Sequence, residues 1–161
     1  MNSANYRAIQ AEDNPHLARI ITSILEDIDV PKKGTGFADA SIWDMYAAFT
    51  KARTFYFVLE QNKKVMGGSG IAPLIGAEEE VCELQKMYLE PTAQGKGYGK
   101  KLLEYCLDKA REFGYKICYL ETMSLMKTAQ QFYLKNGFTY VSERMGNTGH
   151  FACPVWMCKN L

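Results

Sequence analysis

Residues 80–122 run strand, glycine loop, helix, strand, and no other stretch restricts the fold of this chain so tightly. The apolar-patterned run 80–89 reads as a strand that Pro91 closes. Leu102, Leu103, Cys106, Leu107, Ala110 and Phe113 then fall on one face of a helix, and Gly114 ends it at the C′ position. Residues 116–122 form a second strand, which a right-handed crossover places parallel beside the first. Between the first strand and the helix lies Gln94-Gly95-Lys96-Gly97-Tyr98-Gly99-Lys100. Glycine lets a backbone adopt positive φ and approach a ligand closely. The first helical turn adds unpaired N–H donors and the positive end of its dipole, so the segment is suited to a phosphate.

Two familiar phosphate loops do not fit. A nucleotide-triphosphate loop needs Gly-x-x-x-x-Gly-Lys followed by Ser or Thr, but Lys100 stands five residues beyond Gly95, and Leu102 follows Lys101. The dinucleotide fingerprint needs a third glycine, where this chain has Lys100 or Leu102. The pattern present is Gln-x-x-Gly-x-Gly.

Elsewhere, residues 6–10 read as a short strand. Asp13 or Asn14 caps a helix with Pro15 near its start and Leu17, Ile20, Ile21, Ile24, Leu25 and Ile28 at helical spacing. Residues 32–36 are a loop, and a second helix is predicted over 39–50, carrying Ile42, Trp43, Tyr46, Ala47 and Phe49. Strands over 54–60 and 64–73 form a hairpin, the second interrupted by Gly67, Gly68 and Gly70. A further helix over 127–136 is closed by Gly137, and strands over 138–141 and 154–159 finish the chain. The predicted order is β-α-α-β-β-β-α-β-α-β-β, an α/β (α+β) fold with a mixed sheet, in a single domain over 1–161.

Nineteen basic against eighteen acidic residues leave a net charge of +1, which gives no overall field to gather nucleic acid or an anionic membrane. No apolar run approaches the roughly twenty residues that cross a bilayer, and Met1-Asn2-Ser3-Ala4-Asn5 lacks the regions of a signal peptide. A cytoplasmic location is expected. Five cysteines without a Cys-x-x-Cys pair, and only His16 and His150, favour neither a metal site nor a disulfide framework. The cysteines are read as reduced core residues.

Two segments carry a resemblance. The first is the strand Glu83-Leu84-Gln85-Lys86-Met87-Tyr88-Leu89 with the loop that follows it, and the second is Ala129-Gln130-Gln131-Phe132-Tyr133-Leu134-Lys135-Asn136-Gly137-Phe138. Together they resemble the GNAT superfamily of N-acetyltransferases across nearly the whole chain, the second through that family's Ala-x-x-x-Tyr-x-x-x-Gly-Phe segment. The resemblance implies acetyl-CoA as co-substrate. Its pantetheine arm would pair with the backbone of Met87, Tyr88 and Leu89 where two parallel strands splay. Its pyrophosphate would rest on the amides of Gln94, Gly95, Lys96, Gly97, Tyr98 and Gly99, with Lys96, Lys100 or Lys101 adding charge. Two positions depart from the family. Gln94 stands where many members carry Arg, and Met126 where many carry an Asn that contacts the pantetheine arm.

The resemblance further implies acetyl transfer to a primary amine, small-molecule or peptide, within a ternary complex. An alkylammonium has a pKa of about 10.4 and cannot attack a thioester until it loses a proton. Glu83, eleven residues before Gln94, matches the position of a general-base glutamate in several members. Tyr133 matches the tyrosine that protonates the departing sulfur, and the N–H of Met87 or Tyr88 would polarise the thioester carbonyl. Other readings stay open: Glu83 as a plain strand carboxylate, His150 as base, Cys153 as nucleophile, residues 32–37 with Trp43, Tyr46 and Phe49 as acceptor lining, and a homodimer. A catalytically silent acyl-CoA-binding or regulatory module is the alternative function.

Overall fold

The computed structural model describes residues 3–161; Met1 and Asn2 of the amino-terminal stretch lie outside the described residues. Seven strands form one sheet: β1 (Ala4–Ala8), β2 (Phe55–Gln61), β3 (Lys64–Pro73), β4 (Val81–Leu89), β5 (Ile117–Thr122), β6 (Thr139–Tyr140) and β7 (Val155–Asn160). Their spatial order is β1-β2-β3-β4-β5-β7-β6, antiparallel except for the β4/β5 pair. Four helices accompany them: α1 (Asn14–Asp27), α2 (Met45–Ala48), α3 (Tyr98–Glu112) and α4 (Lys127–Lys135).

Strand alternation divides the apolar residues of β2 between the two faces of the sheet. Tyr56 and Val58 of β2 pack with Leu17, Ile20 and Ile21 of α1. Their neighbours Phe55 and Phe57 point the other way, against the cluster that contains Leu103, Cys106 and Leu107 of α3. All five cysteines are free thiols and four are buried, so they act as small apolar fillers. No helix among the described residues is long and apolar enough to cross a membrane.

The segment predicted as one helix over 39–50 is broken. A 3-10 turn over Ala40–Trp43 is followed by the single turn of α2, with Asp44 between them at φ −144°, ψ 67°. The Asp44 carboxylate accepts the Ala47 N–H at 3.1 Å and the Asn14 side-chain amide at 2.9 Å. Aspartate competes with the helix for backbone donors, so it caps where apolar spacing alone predicts continuity. Ile42, Met45 and Phe49 still reach the core, which is why the spacing looked helical.

One irregularity shapes everything that follows. Gly68 pairs with Tyr88 while Gly70 pairs with Gln85, so β4 carries one residue more than β3 across that interval. The extra residue is accommodated at Lys86, whose φ is 53°, and the Tyr56 hydroxyl donates to the Lys86 carbonyl at 2.7 Å. Such a bulge bends its strand. Gly67 lies opposite at φ +135°, and a Cβ there would stand 2.1 Å from the Tyr88 carbonyl oxygen. Gly67→Ala is expected to destabilise the protein by about 3 kcal/mol through a glycine-only backbone conformation and a clash with the bulge, read as a lower urea midpoint.

Candidate active site

Beyond the bulge β4 leaves its parallel neighbour. Hydrogen-bonded register between β4 and β5 covers only Val81, Cys82 and Glu83 against Ile117, Cys118 and Tyr119, although β4 stays with β3 to Leu89 and β5 stays with β7 to Thr122. The gap is a cleft of about 810 Å³. Met87, Tyr88 and Leu89 form one wall and Phe132, Tyr133 and Asn136 of α4 another. Met126 lines it as well, so a thioether occupies the position where an amide was the alternative.

Gln94, Gly95, Gly97, Gly99 and Lys100 border the same cleft. Gly95 and Gly97 have φ of 71° and 82°, and Gly97 is the residue from which α3 starts. The first helical hydrogen bond runs from Lys101 N–H to the Gly97 carbonyl at 3.3 Å. Among the described residues, the amide N–H groups of Gly95 and of residues 97–100 have no hydrogen-bond acceptor, while the turn over 94–95 closes on the Lys96 N–H. Free main-chain donors gathered at a helix N-terminus are suited to an anion. The Gln94 side chain closes the loop by donating to the Leu89 carbonyl at 2.9 Å. Lys96 and Tyr98 stand outside the cleft lining; the Tyr98 hydroxyl accepts from Gln61 at 3.2 Å. Lys101 turns to the rings of Tyr6 and Tyr105.

A smaller cavity of about 100 Å³ adjoins the cleft, with Met87, Tyr88, Met126, Ala129 and Tyr133 lining both. Glu83 faces it from the last paired rung of β4 and is 6% exposed. Gln85 Nε2 donates to Glu83 Oε2 at 2.7 Å. Burial pushes the Glu83 pKa up, with the charge of Glu121 adding to that; the Gln85 hydrogen bond and the charges of His150 and Lys86 oppose it without cancelling it. Tyr133 reaches the same cavity from α4, its ring against Phe132 and Phe138. Its hydroxyl has no hydrogen-bond partner among the described residues, and burial raises its pKa, so it keeps its proton.

Around Glu83 stands a group that the motifs did not announce. Glu121 of β5 accepts from the Tyr119 hydroxyl at 2.7 Å and from the Thr148 hydroxyl, and Arg144 Nε lies 3.0 Å from its Oε2. His150 Nε2 is 2.8 Å from Asp39 Oδ1, and Lys86 also pairs with Asp39. Burial works against the Asp39 carboxylate, but the His150 hydrogen bond and the Lys86 charge outweigh it and hold its pKa low. That bond in turn raises the His150 pKa against the effect of burial. Glu83, Glu121 and His150 each bring one potential ligand atom within 4.8 Å of the others. Lys86 and Arg144 supply positive charge beside these groups through their pairs with Asp39 and Glu121. Glu121 had one sequence signal, a carboxylate inside the apolar run 117–122; Asp39, Arg144 and His150 sit on loops without periodicity.

Other expectations are corrected in part. Thr35 and Gly36 do line the smaller cavity, but Phe49 is buried against Tyr56, and Trp43 and Tyr46 are exposed. Cys153 lines it too, with burial pushing its thiol up to about 11, which disfavours the thiolate a nucleophile needs.

Residues 22–138 match the acetyltransferase (GNAT) family. An uncharacterised N-acetyltransferase of Escherichia coli K12, YjgM, is 40% identical over 156 residues, 96% of this chain and 93% of that protein. The fold superposes on a GNAT-family acetyltransferase of Staphylococcus aureus Mu50 with a TM-score of 0.84 at 18% identity, covering 99% of each chain. The PaiA N-acetyltransferase of Thermoplasma acidophilum, solved with coenzyme A, gives 0.75 at 17% identity, again covering 99% of each chain. At those identities the two structures speak for the shared fold alone. The family match, the YjgM likeness and the splayed-strand cleft lead to one assignment: the chain belongs to the acetyltransferase (GNAT) family and is an acetyl-CoA-dependent N-acetyltransferase.

Proposed function

We propose that this enzyme transfers the acetyl group of acetyl-CoA directly to a primary amine, small-molecule or peptide, with both substrates bound at once. The observation that carries this reading is that Glu83 and Tyr133 face one small cavity that opens onto the cleft bordered by Gly95, Gly97, Gly99 and Lys100, whose amides are free. The diphosphate binds the amides of Gly95 and of residues 97–100, with Lys100 beside it. The pantetheine arm runs along Met87, Tyr88 and Leu89 on the β4 edge that β5 leaves open. The thioester then lies at the join between cleft and cavity.

A nucleophilic nitrogen entering from the cavity side comes beside Glu83. Glu83 accepts a proton from it, directly or through a water. An N–H of the bulged segment at Met87 or Tyr88 polarises the thioester carbonyl as negative charge develops on its oxygen. The Tyr133 hydroxyl, with no competing partner, donates to the departing sulfur. Neither step needs a covalent enzyme intermediate.

The test is thiol release from acetyl-CoA against methylamine, spermidine, histamine, glycinamide and a lysine-containing peptide. Turnover with at least one amine, and an initial-rate pattern requiring both substrates before product, is the expected result. Tight CoA binding without turnover of any of them would count against the reading. Tyr133→Phe is expected to lower kcat by about 10²-fold with CoA affinity unchanged.

A further inference from the structure

Acetylating an ammonium requires two protons to leave the same nitrogen. The first must go before attack, because R–NH3⁺ has no lone pair. The second leaves the tetrahedral adduct, or the amide nitrogen would stay charged. Glu83 is one carboxylate, nearly sealed from solvent, and holds one proton at a time.

A second acceptor lies beside it. His150 Nε2 sits 2.8 Å from Asp39 Oδ1, which makes Nε2–H the donor and leaves Nδ1 bare in the neutral ring. Nδ1 is directed at the carboxylates, 4.0 Å from Glu121 Oε1, with the ligand atoms of Glu83, Glu121 and His150 all within 4.8 Å of one another. The main chain that carries the ring is held on both sides. The His150 N–H donates to the Thr148 hydroxyl at 3.1 Å, Arg144 donates to the His150 carbonyl at 3.0 Å, and Ala152 N–H ties this loop to the Gly34 carbonyl at 2.8 Å. The His150 side chain is 17% exposed, so it has the route to water that Glu83 lacks.

We propose that His150, positioned by Asp39, is the base that takes the first proton from the acceptor's ammonium, and that Glu83 takes the second. This rests on the amine-acetylation reading above. One N–H bond breaks, its electron pair stays on nitrogen, and the proton passes to His150 Nδ1 to give an imidazolium paired with Asp39. The nitrogen pair forms the C–N bond, and the adduct gives its remaining surplus proton to Glu83. The C–S bond then breaks and the sulfur takes the Tyr133 proton. Glu83 restores that proton to the Tyr133 oxygen, and His150 releases the one net proton to water. The charges facing His150 are Asp39 from the turn before Ala40, Glu83 and Lys86 from β4, Glu121 from β5 and Arg144 from its own loop. The carboxylates favour the imidazolium and the two cations oppose it.

The chain has only two histidines, so imidazole nitrogen NMR on the full-length protein saturated with CoA, in a His16→Gln background, reads His150 alone. The neutral ring is expected to carry its proton on Nε2, and n-propylamine, added as the probe, to shift the Nδ1 signal. With the fastest amine of the panel, the acid limb of kcat should fall with a two-proton slope. His150→Gln should lower kcat by about 10²-fold and leave a one-proton slope, with KM for acetyl-CoA within about twofold. Asp39→Asn should weaken the Nε2–H preference. A proton on Nδ1 in the neutral ring, no response to n-propylamine, or an unchanged two-proton limb in His150→Gln overturns the proposal. If no amine in the panel turns over, the reading of the reaction has failed instead, and the NMR result still decides whether His150 is poised to accept.

Discussion

Glu83→Gln is expected to lower kcat by about 10²- to 10⁴-fold while CoA affinity stays within about twofold. Glutamine keeps the shape and can still accept from Gln85, so the change removes proton capacity and little else. The same substitution reports on stability with the opposite sign. Because burial raises the Glu83 pKa, the folded protein holds that proton more tightly than the unfolded chain. Stability from this group is greatest below the ordinary carboxylate range and falls as pH rises through the raised value. Glu83→Gln removes that fall, so at neutral pH the variant should be at least as stable as the parent. A plain strand carboxylate would leave kcat unmoved. Rates and urea midpoints measured across pH separate the two roles.

Glu121→Ala should behave in the other way, with a loss of about 3 kcal/mol and a Tm about 10 °C lower. The Glu121 side chain is 1% exposed and serves Arg144, the Tyr119 hydroxyl and the Thr148 hydroxyl together. Its removal leaves Arg144 without its counter-charge and two hydroxyls without their acceptor, the costly half of breaking a buried pair. Arg144 is 26% exposed and recovers part of its hydration, which keeps the figure at the lower end for such pairs. Thr148 and Arg144 lie in the loop that presents His150, so a thermal melt and an amine-dependent rate should fall together. Loss of rate without loss of Tm would place Glu121 in the chemistry instead.

The contrast between these carboxylates follows what the sequence could convey. Gly95, Gly97 and the α3 stripe were legible because a glycine loop running into an amphipathic helix is a local pattern, and the free amides belong to those same backbone atoms. Tyr133 was legible because its segment has a fixed spacing. The bulge was not, because the residue in the left-handed region is Lys86, with no glycine to mark it; the accommodating glycine lies across the ladder at Gly67. The break at Asp44 was hidden by apolar spacing that a kinked segment satisfies as well as a straight helix. Asp39, Glu121, Arg144 and His150 meet only when a turn, a strand and a loop converge, and no window along the chain contains that convergence.

Every catalytic assignment assumes that coenzyme A lies with its diphosphate on the amides of Gly95 and of residues 97–100. Isothermal titration of ligand-free protein with CoA and, separately, with pantetheine, which lacks the diphosphate and the 3′-phosphoadenosine beyond it, tests that contact, with 3′-phosphoadenosine alone as the control for the nucleoside end. CoA should bind at least about 10²-fold more tightly, as several charge-assisted hydrogen bonds require. Equal affinity for the two, or no heat with CoA, would contradict the account.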